Sequence, residues 1–182
     1  MEQKKTILLT GGLGYIGSHT CIELLKDYNI IIIDNLSNSK LDVIDDIKKI
    51  HPTLSKNFIT YTIDLLDSSS LLEIFEKYNI YSVIHFAGLK SVSESIVNPG
   101  LYYKTNLIAT INLLEAMYQH NCDNLIFSSS ATVYGEQPSP LKESDPTGKG
   151  ITNPYGRTKY FIETMNDARQ FSKDQIDAEK VD

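Results

Sequence analysis

Tyr155-Gly156-Arg157-Thr158-Lys159 sets a phenol and an ammonium four residues apart, a spacing that puts both on one face of a helix. A tyrosine alone is a poor base near neutrality, because its ordinary pKa is about 10. A neighbouring ammonium favours the phenolate: at an effective dielectric of 20, opposite charges about 4 Å apart gain roughly 4 kcal/mol. Each pKa unit is worth about 1.36 kcal/mol, so this attraction brings the phenol toward neutrality before desolvation is set against it. Upstream, Phe127-Ser128-Ser129-Ser130-Ala131-Thr132 places the Ser130 hydroxyl just past a short apolar run, where it can share the proton of the same substrate oxygen. The pair and the serine suit removal of a proton from an alcohol as its carbon loses hydride.

A second set of residues suits phosphate. Thr10-Gly11-Gly12-Leu13-Gly14-Tyr15-Ile16-Gly17 fits both GxGxxG and GxxGxxG spacings between a strand and a helix. Glycines there permit a tight turn and a close backbone approach to a pyrophosphate, and the helix N-terminus adds free N–H groups and partial positive charge. Asp34 ends the next apolar run, 17 residues after Gly17. A carboxylate there is placed to accept from adenosine ribose hydroxyls and to repel a 2′-phosphate, favouring NAD over NADP. It also suits capping of the loop Asn35–Ser39. Asp64, ending the third strand, serves either the adenine end or its own turn. A YxxxK pair or a glycine triad alone is common; the order of triad, acid, post-strand serines and YxxxK points to a nicotinamide hydride-transfer site.

Alternating elements position these groups. Strands are expected at Thr6–Thr10, Asn29–Asp34, Phe58–Ile63, Tyr81–His85 and Asn124–Phe127. Helices are expected at Tyr15–Lys26, Leu41–Ile50, Leu71–Tyr78 and Leu101–His120, the last with Leu107, Ile108, Ile111, Leu114 and Met117 on one side, and a final helix opens near Pro154. Strand–helix alternation with short connections implies an α/β fold, a doubly wound parallel sheet with right-handed crossovers. Gly135–Asn153, rich in Pro, Gly and Ser, is expected as a loop at the sheet's working edge.

Composition narrows the function classes. The chain has 182 residues, 41% hydrophobic and 22% charged, with net charge −6, values of an ordinary globular protein without the basic footprint of a nucleic-acid binder. Its longest apolar run, Ile30–Ile33, is far short of a membrane span. Residues 1–9 lack a signal peptide's apolar region, so a cytoplasmic setting is expected. Cys21, Cys122 and the four histidines lack the spacing of a disulfide framework or metal site. Cys21, His19 and His85 read as packing residues.

Taken together, TGGLGYIGSHT (Thr10–Thr20), DNLSNSK (Asp34–Lys40), VIHFAGLKSVSES (Val83–Ser95), FSSSATVYG (Phe127–Gly135) and NPYGRTK (Asn153–Lys159) resemble the extended short-chain dehydrogenase/reductases, and among them the UDP-glucose 4-epimerases. The resemblance implies a Rossmann domain over residues 1–165 that binds NAD through Gly11, Gly14, Tyr15, Ile16, Gly17, Asp34, Asn35, Asn38 and Ser39. It also implies contacts from Asp64, Leu65, Phe86, Ala87, Gly88 and Lys90, and from Tyr155 and Lys159. It implies catalysis by Tyr155 as base with Lys159 and Ser130, a UDP-sugar held near Ser130, Thr132 and Tyr155, and a homodimer through helix 101–120. The related dehydratases carry an Asp-Glu pair after the post-strand Ser/Thr. Here Ala131-Thr132-Val133 has no acid, which favours epimerisation. A reductase or dehydratase activity, or an NAD-binding or dimerising fragment with weak turnover, stays open. The family's pattern continues into an Arg-Tyr-Phe-Asn strand and a C-terminal substrate domain; residues 166–182 instead read as a divergent polar tail, leaving the fifth strand's edge unpaired.

Overall fold

The computed structural model describes residues 4–179, and side chains as far as Asp167. Part of the segment read as lacking a signal peptide's apolar region, residues 1–3, and the side chains of most of the tail read as polar, residues 166–182, lie outside these limits. The chain divides into two compact units, Met1–Gly88 with Ile108–Ser128, and Leu89–Leu107 with Ser129–Asp182.

The first unit is built on five parallel strands: β1 (Thr6–Thr10), β2 (Asn29–Asp34), β3 (Phe58–Thr62), β4 (Ile80–His85) and β5 (Asn124–Phe127), in the order β3-β2-β1-β4-β5. Leu8 faces Ile31 on one side and Val83 on the other, and the β1–β4 register shifts by one residue between Thr6 and Ile7. Strand side chains alternate between two cores. Ile7, Leu9, Ile30, Ile32 and Ile84 pack with Cys21 and Leu25 of helix α1 (Tyr15–Leu24) and its end, and with Ile47 of α2 (Asp42–Ile50). Leu8, Ile31, Ile33 and Val83 pack with Leu71, Ile74 and Phe75 of α3 (Ser68–Lys77), and with Ala109, Leu113, Ala116 and Met117 of a helix over Ala109–Gln119. Helices on both faces of a parallel sheet make the doubly wound fold, with the order reversing between β1 and β4.

The second unit is helical with one long loop. It contains α4 (Val92–Val97), α5 (Pro99–Tyr102), the 3-10 turn Ala131–Tyr134 and α7 (Pro154–Glu179); the helix Ala109–Gln119 is α6. A π-helical stretch, Tyr103–Ile108, joins α5 to α6. Residues 135–153 hold neither helix nor strand, as the Pro/Gly/Ser content predicts. α7 opens at Pro154, and its backbone stays helical through residue 165 to Glu179.

Three details differ from expectation. The helix expected at Leu71 begins at Ser68 instead, because the Asp67 carboxylate accepts from the Ser70 N–H at 3.2 Å and from the hydroxyls of Ser69 and Ser70, each at 2.7 Å. These bonds hold its pKa down to about 2. α4 was not expected; Ser91 caps it by accepting from Glu94 N–H. On the helix expected at 101–120, Met117 is buried and Leu114 packs partly buried against the core with Ala109, Leu113 and Ala116, whereas Ile108 and Ile111 are exposed. The wider π turn rotates the following face relative to an unbroken α-helical count.

Candidate active site

In the first unit, the glycine loop sits at the carboxyl end of β1. Gly11 has φ +66°, and a Cβ there would lie 2.7 Å from the Ala87 nitrogen. A Cβ on Gly17 would lie 2.6 Å from the Gly11 oxygen and 2.7 Å from Gly12 Cα. Both positions therefore need glycine for the fold itself. Gly14 differs: its φ is −68°, and the sole atom near an added Cβ is the Gly11 oxygen at 3.2 Å. That single contact is a tight one with backbone, but no other atom of the chain lies close, so the approach to Gly14 has room for a bound phosphate. α1 follows with no side-chain cap and no acid in its first turn, leaving its amides and partial positive charge for an anion. Tyr15 and Ile16 are exposed beside it.

Asp34 is 8% exposed and organises this end of the sheet. Its Oδ2 accepts from Leu13 N–H at 3.0 Å, and its Oδ1 from Leu36 N–H at 2.9 Å and from Ser39 Oγ at 2.7 Å. The loop-capping role is thus real, and Oδ2 retains acceptor capacity for a further donor. Asn35 donates to Asp64 Oδ2 at 3.0 Å, while Asp64 Oδ1 closes its own turn through Leu66 N–H at 2.9 Å. Leu65 is buried, and its carbonyl accepts from Asn112 at 2.8 Å. Asn38 is exposed. At the end of β4, Phe86 N–H bonds the Thr10 carbonyl at 3.0 Å, bringing Phe86 and Ala87 against the glycine loop, and Gly88 follows with φ +149°. His85 is fully enclosed, with Nδ1 at 2.6 Å from Thr10 Oγ1 and Nε2 at 3.0 Å from Thr110 Oγ1. It is a core residue. Burial pushes the Cys21 thiol up to about 12, which leaves it unreactive.

In the second unit, α7 carries Tyr155 and Lys159, 8% and 6% exposed. Lys159 Nζ lies 5.9 Å from the centroid of the Tyr155 ring. Burial draws the Lys159 pKa down from 10.5 to about 8, and the negative charge of Glu163 works against that shift. Ser129 Oγ donates to Glu163, tying the serine run to the same helix. Ser130 caps the turn Ala131–Tyr134, its Oγ accepting from Thr132 Oγ1 at 2.9 Å. A Cβ on Gly156 would come within 3.0 Å of Thr132 Oγ1; a glycine after Tyr155 lets the Ser130–Thr132 turn rest directly on the opening of α7. Lys90 is exposed on the loop preceding α4.

Sequence reasoning missed the residues that hold this arrangement. Asn153, 5% exposed, caps α7 by accepting from Gly156 N–H at 2.8 Å; Asn before Pro is a helix-start signal that would have revealed it. Asn106, in the π turn, binds both the N–H and the carbonyl of Leu89 at 2.8 and 3.0 Å and donates to Thr158 at 3.1 Å. Thr158 in turn donates to the Tyr155 carbonyl at 2.7 Å. Tyr102 is fully buried, edge-on to Tyr155 at 6.5 Å, and donates to Glu94 at 2.7 Å. The phosphate-side candidates, except Lys90, thus fall in the first unit; Lys90, Ser130, Thr132, Tyr155 and Lys159 fall in the second. Among the described residues no cluster of three metal-ligating side chains occurs, and no helix is long and apolar enough to cross a membrane.

Comparison with known proteins gives this geometry a family. The model of the GDP-mannose 4,6 dehydratase family matches residues 8–174. The chain is 49% identical to the UDP-glucose 4-epimerase of Schizosaccharomyces pombe over 166 residues, which make up 88% of this chain and 45% of that protein. It is 48% identical to that of Homo sapiens, covering 87% and 47%. The solved UDP-glucose 4-epimerase of Bifidobacterium longum, in complex with NAD+ and UDP, superposes with a TM-score of 0.88 at 43% identity, over 92% of this chain and 50% of that one. This chain therefore spans about half the length of the relatives it matches. It belongs to the family that the GDP-mannose 4,6 dehydratase model describes, and within that family it resembles the N-terminal half of the UDP-glucose 4-epimerases.

Proposed function

We propose that this chain is the NAD-binding and proton-transferring part of a UDP-glucose 4-epimerase. The observation that carries the reading is the buried Tyr155–Lys159 pair on a helix seated against the Ser130–Thr132 turn. The open approach over Gly14 and the uncapped start of α1 would hold the pyrophosphate of the dinucleotide. Asp34 Oδ2 would accept from its ribose. NAD, when bound, supplies a two-electron acceptor that takes a hydride from C4 of the sugar and returns it.

The chain's own residues handle the proton. Tyr155 Oη takes it from the C4 hydroxyl as that carbon becomes a ketone, and gives it back when the alcohol is re-formed with the opposite configuration. The Lys159 ammonium stabilises the phenolate, and Ser130 Oγ orients the sugar oxygen. Thr132 stands beside it. No acid follows Ser130 where a dehydratase would need one to eliminate water, so the reaction returns an isomer with no net change in the cofactor. On this reading the chain serves galactose metabolism, for which we propose a cytoplasmic setting.

The test is conversion of UDP-galactose to UDP-glucose by the purified chain, with Tyr155→Phe alongside. Tyrosine-dependent isomer formation supports the reading. Absence of turnover at saturating substrate, with NAD bound, limits this chain to cofactor binding. One observation favours an assembling role as well: Ile108, Ile111 and Tyr118 are 42%, 40% and 78% exposed along α6 and its start. Such a stripe fits a second copy of the chain packing helix to helix.

A further inference from the structure

The hydrogen bond from Ser129 to Glu163 joins residues 34 positions apart within the second unit, and Glu163 lies outside every motif read from the sequence. Tyr155, Lys159 and Glu163 recur every four residues along α7, which puts all three on one face. Tyr155 and Lys159 are buried there, and Glu163 is half-buried. A carboxylate drawn partly out of water needs a hydrogen-bond partner, and the Ser129 hydroxyl supplies one. A hydroxyl donating to an ionised carboxylate makes a bond about twice as strong as a neutral one, so it orders the serine segment on the helix.

The segment meets α7 at a second point, because Thr132 occupies the space beside Gly156, its Oγ1 3.0 Å from where a Cβ would stand. Gly156 and Glu163 are seven residues apart, about 10 Å along the helix axis. Ser130 lies in the chain between Ser129 and Thr132. Its Oγ accepts from the Thr132 N–H at 3.3 Å and from Thr132 Oγ1 at 2.9 Å, which secures one side; the Ser129 bond to Glu163 secures the other. We infer that Glu163 is a positioning residue: through Ser129 it sets where the Ser130 hydroxyl stands relative to Tyr155. The inference rests on the proton-transfer roles proposed above for Ser130 and Tyr155. The same carboxylate acts on the pair itself, since its negative charge opposes the loss of the Lys159 proton that burial favours.

The test is amide NMR on the full chain, followed by initial rates on UDP-galactose with NAD supplied. Glu163→Ala should shift the amides of Ser129, Ser130 and Thr132 while leaving those of β1 and α1 in place. Ser129→Ala, which removes the donor and leaves α7 untouched, should shift Ser130 and Thr132 in the same sense. Glu163→Gln keeps an oxygen for Ser129 to donate to and should hold these amides near their wild-type positions. Equal displacement by the Gln and Ala variants, or an unmoved Ser130 in Glu163→Ala, would overturn the inference. In the kinetics, Glu163→Ala should lower kcat about tenfold with KM little changed, and adding Ser129→Ala should lower it no further, because both act through one bond. A rise in KM alone, or losses that multiply, would count against it equally. A wild-type chain without turnover, or Tyr155→Phe as active as wild type, contradicts the epimerase reading instead, and the amide shifts then still decide whether Glu163 places Ser130.

Discussion

Replacing Tyr155 by phenylalanine keeps the buried ring against Tyr102 and removes the oxygen proposed to move the proton, so the proposed epimerisation should fall by about 10²–10⁴-fold with little change in melting temperature. Lys159 makes a pH-dependent prediction. Its folded pKa of about 8 lies below the ordinary 10.5. Below pH 8 both folded and unfolded chains carry the proton, and burial of the ammonium destabilises the fold by about 3 kcal/mol. Between pH 8 and 10.5 the unfolded chain holds more protons, so this group makes stability rise with pH and its penalty vanishes. Urea unfolding at pH 7.5 and 10 should show the stability gain of Lys159→Met over wild type shrinking at the higher pH. A constant gain would contradict the assignment. The glycines divide the same way: Gly17→Ala, which collides with backbone, should lower the melting temperature sharply, whereas Gly14→Ala should cost little stability and weaken NAD binding. Calorimetry on the two variants separates them. At this scale the glycine loop at the end of β1, the acid at the end of β2 and the buried Tyr155 and Lys159 on α7 were readable from residue types and order, because GxxGxxG, the strand-end acid and YxxxK are local in sequence.

Elements were readable where one physical cause dominates. Ile30–Ile33 reads as a strand because a run buried on both faces has no polar alternation to confuse it. α3 and α4 show the opposite case: their starts are set by single caps, Asp67 and Ser91, rather than by apolar periodicity, and counting hydrophobic residues passes over them. The π turn at Tyr103–Ile108 has no local signature. It is stabilised through Asn106, whose partners Leu89 and Thr158 lie 17 and 52 residues away in the chain, and of the apolar side read for this helix Leu114 and Met117 meet the core while Ile108 and Ile111 do not. Two predictions belong here. Asn153→Ala removes the cap of α7 and should lower stability by about 1 kcal/mol, read from denaturant midpoints. Ile111→Glu with Tyr118→Ser places charge and polarity on the exposed stripe of α6 and should shift sedimentation toward a single chain if that face pairs copies.

For the molecule as a whole, the sheet order and the two-sided core follow from strand–helix alternation and the preference for right-handed crossovers. The division into two compact units was not readable, because the chain passes between them three times without any linker composition to mark it. β5 forms one edge of the sheet and exposes Ile126, a surface that invites association. The glycine loop and Asp34 lie in one unit, and Ser130, Thr132, Tyr155 and Lys159 lie in the other. The most direct test is to denature the purified chain and assay the released small molecules by mass spectrometry. The account predicts NAD in stoichiometric amount, or its uptake on addition, and its loss when Gly14 is replaced by a bulkier residue. A chain that carries no dinucleotide and takes none up when NAD is supplied would contradict it.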